Sequence, residues 1–224
     1  MVPRAGRRTG RYDWRVGETD LIVERREPPP GRLSYEQFLE WAPDDAWAEW
    51  VDGQVILMTV PVAERHAAIV AFLIWLFNTA SQLGRLGSVY GEPFQMHLSA
   101  LRRGREPDVF FVLAEHRDRM RRLYLDGPAD IVVEVVSPES QQRDRVEKLA
   151  EYEAAGVSEY WLIDAEGKGA EFRVLGPDGR YRVALAGSAG EYRSSVLPPL
   201  RLRVEWLWQE PGPDYDEVLR TLGG

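Results

Sequence analysis

The segment from residue 131 to residue 164 constrains the fold more than any other part of this 224-residue chain. Ile131–Val136 is a short run rich in Val and Ile, which is typical of a strand covered on both faces. A helix is predicted over residues 142–155, ending at Gly156, and residues 160–164 have the pattern of a second strand. Because a strand, a helix and a strand form a crossover, this part of the sheet is expected to be parallel.

The surrounding elements predict a mixed sheet with helices packed on it. Ser34 and Gln37 form a capping-box pattern that predicts a short helix over Tyr35–Trp41. Asp52-Gly53 lies between two apolar runs, which is a strong hairpin signal, and residues 64–83 have apolar residues at helical spacing. Further elements are expected at residues 89–98 (one irregular strand or two), Val109–Leu113, 172–175, 181–185 and 200–208 (strands), and 214–222 (a closing helix). The predicted fold class is therefore α/β or α+β.

The chain is expected to form a single domain over residues 33–224, preceded by an arginine- and proline-rich tail over residues 1–32. The run of three prolines at residues 28–30 favours an extended, solvated conformation. No run approaches the ~18 apolar residues of a membrane helix, and the first residues lack the apolar stretch of a secretory signal. With no cysteine in the chain, we expect a cytoplasmic protein without a membrane partner.

The charge of the chain limits how it could bind nucleic acid. A formal net charge of −8 argues against a protein that holds nucleic acid by bulk positive charge. It does not exclude an enzyme that acts on nucleic acid through bound cations, because such ions reverse the local field. The arginines cluster at the start of the chain and at residues 117–122, where solvated surface charge is the simplest interpretation.

Two carboxylates stand at positions where strand formation does not require them. Glu134 interrupts an otherwise apolar strand, where an ionised carboxylate is costly unless it is paired or bound to metal. Asp108 follows Pro107 at the start of another apolar run, and simple punctuation of the strand start explains it equally well when it is taken alone. Two oxygen ligands on neighbouring strands are what a hard divalent cation requires.

Other polar residues have two interpretations each. Asp144 and Lys148 share one helix face with Tyr152 close by, and they could form either an exposed ion pair or part of a site near Glu134. Glu49 lies in the strand before Asp52-Gly53, where solvation at a sheet edge is the alternative to a functional role. For His66, in the first turn of the long helix, a surface or core position is the more common case.

In combination, these motifs resemble the Uma-type family of putative restriction endonucleases, which belongs to the PD-(D/E)XK nuclease superfamily. The similarity spans residues 34–207. It rests on Pro107-Asp108, on Ile131–Val136 with the following Ser137-Pro138-Glu139-Ser140, on Asp144, Lys148 and Tyr152, on residues 156–164, and on residues 49–53 with Pro61 and His66 behind them.

The resemblance implies a restriction-endonuclease-like core, a four-stranded mixed sheet flanked by helices, and a Mg²⁺- or Mn²⁺-dependent phosphodiesterase site. Asp108, Glu134 and the backbone carbonyl of Val135 would bind the metal, with Glu49 as an auxiliary acid. Lys148 would orient the attacking water and stabilise the transition state, and the supporting residues would be Asp144, His66, Ser137 and Tyr152. One departure is that the superfamily lysine, two residues after the glutamate, is replaced here by Val136.

Three functions are weighed on these grounds. The first is a metal-dependent endonuclease acting on nucleic acid, with DNA as the expected substrate and a homodimer as a convenient way to cut both strands. The second is a catalytically inactive module with a nuclease fold that binds nucleic acid or protein. The third is a hydrolase of another class that uses Asp108 and Glu134 as an acid and base pair. The sequence does not decide between DNA and RNA.

Overall fold

The computed structural model of this chain describes residues 27–42, 47–57, 63–138 and 140–222. Residues 1–26 of the predicted tail, together with Pro61 and Glu139, lie outside the described residues, so the predicted domain boundary stays a prediction. Within the described ranges, no helix combines the length and the apolar character needed to cross a membrane.

The described ranges form four α-helices, three 3₁₀ helices, one π-helix and thirteen strands. The α-helices are α1 (Tyr35–Trp41), α2 (Glu64–Gln82), α3 (Leu149–Ala155) and α4 (Tyr215–Leu222). The strands are β1 (Ala48–Val51), β2 (Gln54–Leu57), β3 (Gly87–Gly91), β4 (Gln95–Leu98), β5 (Arg103–Arg105), β6 (Val109–Leu113), β7 (Tyr124–Asp126), β8 (Ile131–Val136), β9 (Glu159–Asp164), β10 (Gly169–Leu175), β11 (Tyr181–Gly187), β12 (Glu191–Arg193) and β13 (Arg201–Arg203). The 3₁₀ helices cover Ser99–Leu101, Ala114–Arg119 and Val204–Trp208, and the π-helix covers Arg143–Lys148.

Six strands form the central sheet, in the order β11-β10-β9-β8-β6-β3. All neighbours in this sheet are antiparallel except β8 and β9, which run parallel and are joined by the π-helix and α3. The predicted crossover is therefore confirmed, and with it the mixed sheet flanked by helices. The family resemblance implies a four-stranded core with additional β-hairpins, and the β10–β11 hairpin does extend this sheet beyond four strands.

The two faces of the central sheet pack against different layers, since successive side chains of a strand point to opposite faces. Val133 of β8 and Phe111 of β6 belong to a buried cluster with Phe77 of α2. Val132 of β8 belongs to a second cluster with Tyr152 of α3, together with residues of β4. Glu134, two residues after Val132, points into this second layer.

A second sheet of five strands has the order β2-β1-β5-β4-β7. Its β1–β2 hairpin is the one predicted around Asp52-Gly53, and β1 also pairs with β5, so β1 is an internal strand. The sheet as a whole was not predicted, because β5 and β7 have three residues each and no apolar alternation. This sheet brings β1 and β5 to the layer that contains Glu134.

Near the end of the chain, the predicted strand over residues 200–208 is wrong for most of its length. Its alternating apolar residues suggest a strand, but only Arg201–Arg203 pairs, and the partner β12 is itself three residues long. Beyond that ladder the chain turns into the 3₁₀ helix Val204–Trp208, which still buries Val204 and Trp206. The predicted 89–98 segment proves to be two strands, β3 and β4.

Candidate active site

The register of β6 and β8 brings Asp108 and Glu134 together. Val109 pairs with Val133 in this antiparallel ladder. The residue before Val109, Asp108, therefore lies opposite the residue after Val133, Glu134, and both side chains are on the same sheet face. Both carboxylates are buried, with exposed fractions of 7% and 3%. Oδ2 of Asp108 accepts a hydrogen bond from the Val135 N–H at 2.5 Å, which fixes the side chain against β8.

Val135 pairs with Ile163 of β9, but the described ladder between β6 and β8 ends at Val133, so on the β6 side Val135 lies beyond the paired residues. In an extended strand the N–H and C=O of one residue point toward the same neighbour, so the carbonyl of Val135 also points toward the β6 side. Continuing the register would place Pro107 opposite Val135, and proline has no N–H to donate. This leaves the carbonyl of Val135 on the side where Asp108 lies.

Lys148 enters the site from the π-helix. Its Nζ lies 2.9 Å from Glu134 Oε1, 3.2 Å from Glu49 Oε1 and 3.6 Å from Asp144 Oδ1. Lys148 and Asp144 are each only 2% exposed, so the alternative of an exposed surface pair is wrong. A single wide π turn in an otherwise α-helical segment is frequent at functional sites, and here it carries the lysine to the strand.

Of the other supporting residues, Tyr152 contacts the site, whereas the contacts described for Ser137 lie in the neighbouring turn. The hydroxyl of Tyr152 donates to the same oxygen of Glu134 as Lys148 does, at 2.9 Å. Ser137 instead forms reciprocal hydrogen bonds with Ser140 in the turn before the π-helix. Its described contacts shape that turn, whose Ser140 carbonyl accepts from the Asp144 N–H at 2.9 Å.

Glu49 is completely buried, so the alternative of solvation at a sheet edge is wrong. Its Oε2 accepts from Arg105 Nη1 at 2.7 Å, while its Oε1 faces Lys148. Burial alone would raise the pKa of Glu49, but the charges of Lys148 and Arg105 lower it to about 2. An auxiliary role for Glu49 at a metal stays a prediction, because the described contacts place it against two cations.

Arg105 and Glu151 complete this network, and sequence analysis assigned a role to neither. Arg105 is 1% exposed and donates from Nε and Nη2 to Glu151, each at 2.9 Å. A signal was present in the alternation of Arg103 and Arg105, which places both side chains on one face of an extended strand next to Glu106-Pro107-Asp108. The missing knowledge was that this polar segment forms a strand at all.

His66 and Glu92 lie on the other side of Asp108. His66 Nε2 is 3.5 Å from Asp108 Oδ1, so the first turn of α2 does reach the site. Burial acts to lower the pKa of His66, but the hydrogen bond and charge of Asp108 outweigh it, and the pKa is raised. Burial and the Asp108 charge raise the pKa of Glu92 to about 7, and sequence analysis missed this residue in the turn after β3.

The electrostatics of the buried Glu134–Lys148 pair follow from its surroundings. Burial strongly raises the pKa of Glu134, and the ammonium of Lys148 opposes that rise. For Lys148 burial acts in the opposite sense, but Glu134, Glu49 and Asp144 together raise its pKa well above the usual range. Lys148 therefore remains a cation surrounded by carboxylates.

The residues present fit a magnesium ion of the type that keeps most of its water. Among the described residues, no three His, Asp or Glu side chains are grouped so that they could hold a metal without help. Mg²⁺ requires only one or two carboxylates besides water and substrate phosphate. Within the described chain, hydrogen bonds to Glu134 involve Oε1 alone, and the buried Oδ1 of Asp144 has ion pairs but no hydrogen-bond partner.

Glu106, just before Asp108, gives the site region a pH dependence. Burial raises the pKa of Glu106 to about 8, although a hydrogen bond from Gln95 at 2.7 Å opposes the rise. Between pH 4.5 and about 8, the Glu106 carboxyl is therefore protonated in the folded protein and ionised in the unfolded chain. The contribution of this proton to the free energy of unfolding is complete below pH 4.5 and is lost as the pH rises through about 8.

The substitution Glu106→Gln is therefore expected to stabilise the protein at pH 8 by about 2–4 kcal/mol and to change little at pH 5. Urea unfolding at both pH values measures the free energy of unfolding. The exposed Glu115→Gln serves as the control and should change little at either pH. Equal destabilisation by Glu106→Gln at both pH values would show that Glu106 is ionised in the folded protein.

The fold described above is a mixed sheet flanked by helices, and comparison with known families shows which family it belongs to. The Uma2 family, described as "Putative restriction endonuclease", matches residues 35–205. Since this match covers most of the chain, the protein belongs to the Uma2 family, and the resemblance found in the sequence motifs is confirmed.

A solved structure supports the same fold. The crystal structure of a putative nuclease belonging to DUF820 from Anabaena variabilis ATCC 29413 is similar with a TM-score of 0.64 at 16% sequence identity. The similar region covers 85% of this chain and 99% of that chain. Among curated proteins, no relative matches.

Proposed function

We propose that this chain is a Mg²⁺- or Mn²⁺-dependent endonuclease that hydrolyses phosphodiester bonds of DNA. The observation that carries the proposal is the buried Lys148 held against Glu134, with Asp108 opposite on the neighbouring strand. Nothing in the packing of β8 requires a carboxylate at this point. Burying a carboxylate with a lysine costs desolvation free energy, and apolar residues would fill the same space without that cost, so a functional reason for the pair is expected.

The metal would be held by Asp108, Glu134 and the carbonyl of Val135. When bound, a divalent cation supplies a Lewis acid and lowers the pKa of its coordinated water. Asp108 is oriented for this task by the Val135 N–H, and Glu134 is oriented by Lys148 and Tyr152. Preorganised carboxylates of this kind avoid the cost of rearrangement when substrate binds.

Lys148 would position the attacking water and stabilise negative charge that develops on the phosphate. The chain has only two lysines, and this one is completely buried among the carboxylates in a protein otherwise supplied with arginine. A compact ammonium suits this role better than a guanidinium, because it acts as a point charge on a flexible stem. Glu49 and Asp144 act as positioning residues that hold Nζ in place.

The lysine also accounts for the departure at Val136. In the superfamily pattern a lysine two residues after Glu134 would occupy that place, but Val136 is buried in the second apolar cluster. The 2.9 Å contact between Lys148 and Glu134 supports a lysine supplied from the following helix. A catalytically inactive module would share this fold, and it is the outcome to be distinguished by experiment.

The proposal is tested by incubating the full-length chain with labelled duplex DNA, single-stranded DNA and RNA, each with Mg²⁺, with Mn²⁺ and with a chelator. We expect cleavage of duplex DNA that requires the divalent cation and is absent with the chelator. Cleavage that persists with the chelator would contradict the metal site, and cleavage of RNA alone would contradict the substrate. Binding of DNA without cleavage in both metals would support the inactive module. A homodimer and a cytoplasmic location remain predictions from the sequence.

A further inference from the structure

A cavity of about 490 Å³ lies beside β3, the last strand of the central sheet. The end of α2 with its following turn, β3, the end of β6 and the 3₁₀ helix Ala114–Arg119 form its walls. Its lining includes Arg85 from the turn, Ser88 and Tyr90 from β3, and Arg117 from the 3₁₀ helix. We refer to this cavity as the arginine pocket.

The side chains of β3 and β6 that line the arginine pocket include ones on the sheet face that carries the candidate active site, and the end of α2 reaches the pocket from the opposite face. Ser88 pairs with Val112 and Tyr90 pairs with Phe110, so these side chains share one face. Asp108 is two residues before Phe110, and side chains two apart along a strand point to the same face. These side chains and the carboxylates therefore face the same layer of the molecule.

The spacing between the two sites is short enough for one nucleic-acid strand to reach both. Gly91 pairs with Val109, directly beside Asp108, and Ser88 lies three residues earlier on the same strand. Ser88 pairs with Val112, four residues from Asp108, so at about 3.3 Å per residue the pocket is roughly 13 Å further along the sheet. One strand of duplex DNA carries a phosphate about every 3.4 Å of helix axis and also winds around that axis, so adjacent phosphates lie further apart than this rise, and the pocket lies within a few phosphates of Asp108.

The charge of the pocket favours an anion. Arg85 and Arg117 are exposed, and neither forms an ion pair with any acid in the part of the chain that the structure describes. By contrast, Arg103 and Arg145, on other elements, each pair with a carboxylate. The C-terminal end of α2 contributes only about half a negative charge, which two guanidinium groups outweigh.

Two local features shape the walls of the pocket. Arg85 adopts φ +52° in the turn that ends α2, a left-handed conformation for which glycine is the usual residue. Tyr90 is stacked on Phe94 and on Phe110, with ring centroids 5.5 and 5.4 Å apart. The stacking fixes the tyrosine ring between the pocket and the turn that carries Glu92.

We propose that the arginine pocket binds backbone phosphates of the same DNA strand whose scissile phosphate lies at Asp108 and Glu134. The inference rests on the proposed function, because it takes the scissile phosphate at Asp108 and Glu134 as the point from which the DNA strand extends to the pocket. It explains how a chain with a net charge of −8 could engage DNA, because positive charge that has no acidic partner among the described residues is concentrated where the backbone would pass.

The test compares the double variant Arg85→Gln/Arg117→Gln with a charge-matched control, Arg182→Gln/Arg220→Gln, on the far edge strand β11 and on α4. Fluorescence anisotropy of a labelled 20-base-pair duplex, titrated over a range of salt concentrations with the full-length chain, gives the Kd and its salt slope. We expect the pocket variant to bind about tenfold more weakly or worse, with a salt slope smaller by about two, and the control to bind like the unchanged protein.

A second measurement separates this inference from the proposed function. A small phosphodiester such as bis-p-nitrophenyl phosphate is too short to reach the pocket, so the pocket variant should hydrolyse it at the unchanged rate while kcat/KM on the duplex falls. Duplex binding and cleavage equal to the control would overturn the pocket and leave the proposed function standing. Weakened duplex binding in a protein that cleaves neither substrate would support the pocket and contradict the nuclease proposal. An unchanged protein that fails to bind the duplex would overturn the pocket.

Discussion

Replacing Glu134 by glutamine is expected to abolish metal-dependent cleavage, with a loss of at least about a thousandfold in kcat/KM. Glutamine has nearly the same shape but no charge, so it would compensate a divalent cation poorly. The substitution also leaves Lys148 with Glu49 and Asp144 as its partners, and these are sufficient to keep the lysine ionised. The variant should therefore remain folded, and the loss would be in activity.

The matched control for this variant is Glu171→Gln, a carboxylate on β10 of the same sheet that pairs with Arg173 at a half-buried position. It should cleave at the unchanged rate. Cleavage kinetics on duplex DNA at several Mg²⁺ concentrations, with circular dichroism as the check on folding, measure both effects. A folded Glu134→Gln variant that cleaves within tenfold of the unchanged protein would remove Glu134 from the site.

Replacing Lys148 by methionine is expected to abolish cleavage and to lower the free energy of unfolding by about 3–5 kcal/mol. Methionine fills a similar volume but leaves Glu134, Glu49 and Asp144 buried around a missing cation. Breaking a buried ion pair from one side leaves the other charge without compensation, which is why the stability effect is large. Lys148→Arg should recover part of the stability without restoring cleavage, because the wide planar guanidinium does not reproduce a compact ammonium.

Lys168→Met provides the control, since Lys168 is the other lysine of the chain and lies exposed in the β9–β10 turn. Urea unfolding and duplex cleavage are measured on all three variants. If Lys148→Met lost stability but kept cleavage, the lysine would be a structural counter-ion and the water-positioning role would be wrong. If Lys148→Arg cleaved as well as the unchanged protein, a positive charge alone would be sufficient at this position.

The parts of the fold that the sequence predicted are those specified by local chemistry. The capping box of Ser34 and Gln37 forms as expected at the start of α1. The Val- and Ile-rich strand Ile131–Val136 has its predicted bounds because burial on both faces demands a continuous apolar run. The closing glycine of α3, Gly156, adopts the left-handed conformation that a helix end requires.

What the sequence did not predict depends on contacts between distant segments. Arg105 and Glu49 are 56 residues apart, and they meet because β1 pairs with β5, a three-residue strand that has no apolar signature. Asp144 and Lys148 have the spacing of an ordinary surface pair, and only the packing of the π-helix onto β8 shows that both are buried. Glu134 was the useful exception, because its cost in an apolar strand could be recognised without knowing its neighbours.

The central claim is that Asp108, Glu134 and the carbonyl of Val135 bind a divalent cation, and a crystal grown with Mn²⁺ tests it most directly. Anomalous scattering from manganese locates the ion independently of any activity. We expect one strong anomalous peak within coordination distance of Asp108 and Glu134. A crystal grown with Mn²⁺ in which both carboxylates are well ordered and no anomalous peak lies between them would contradict the claim.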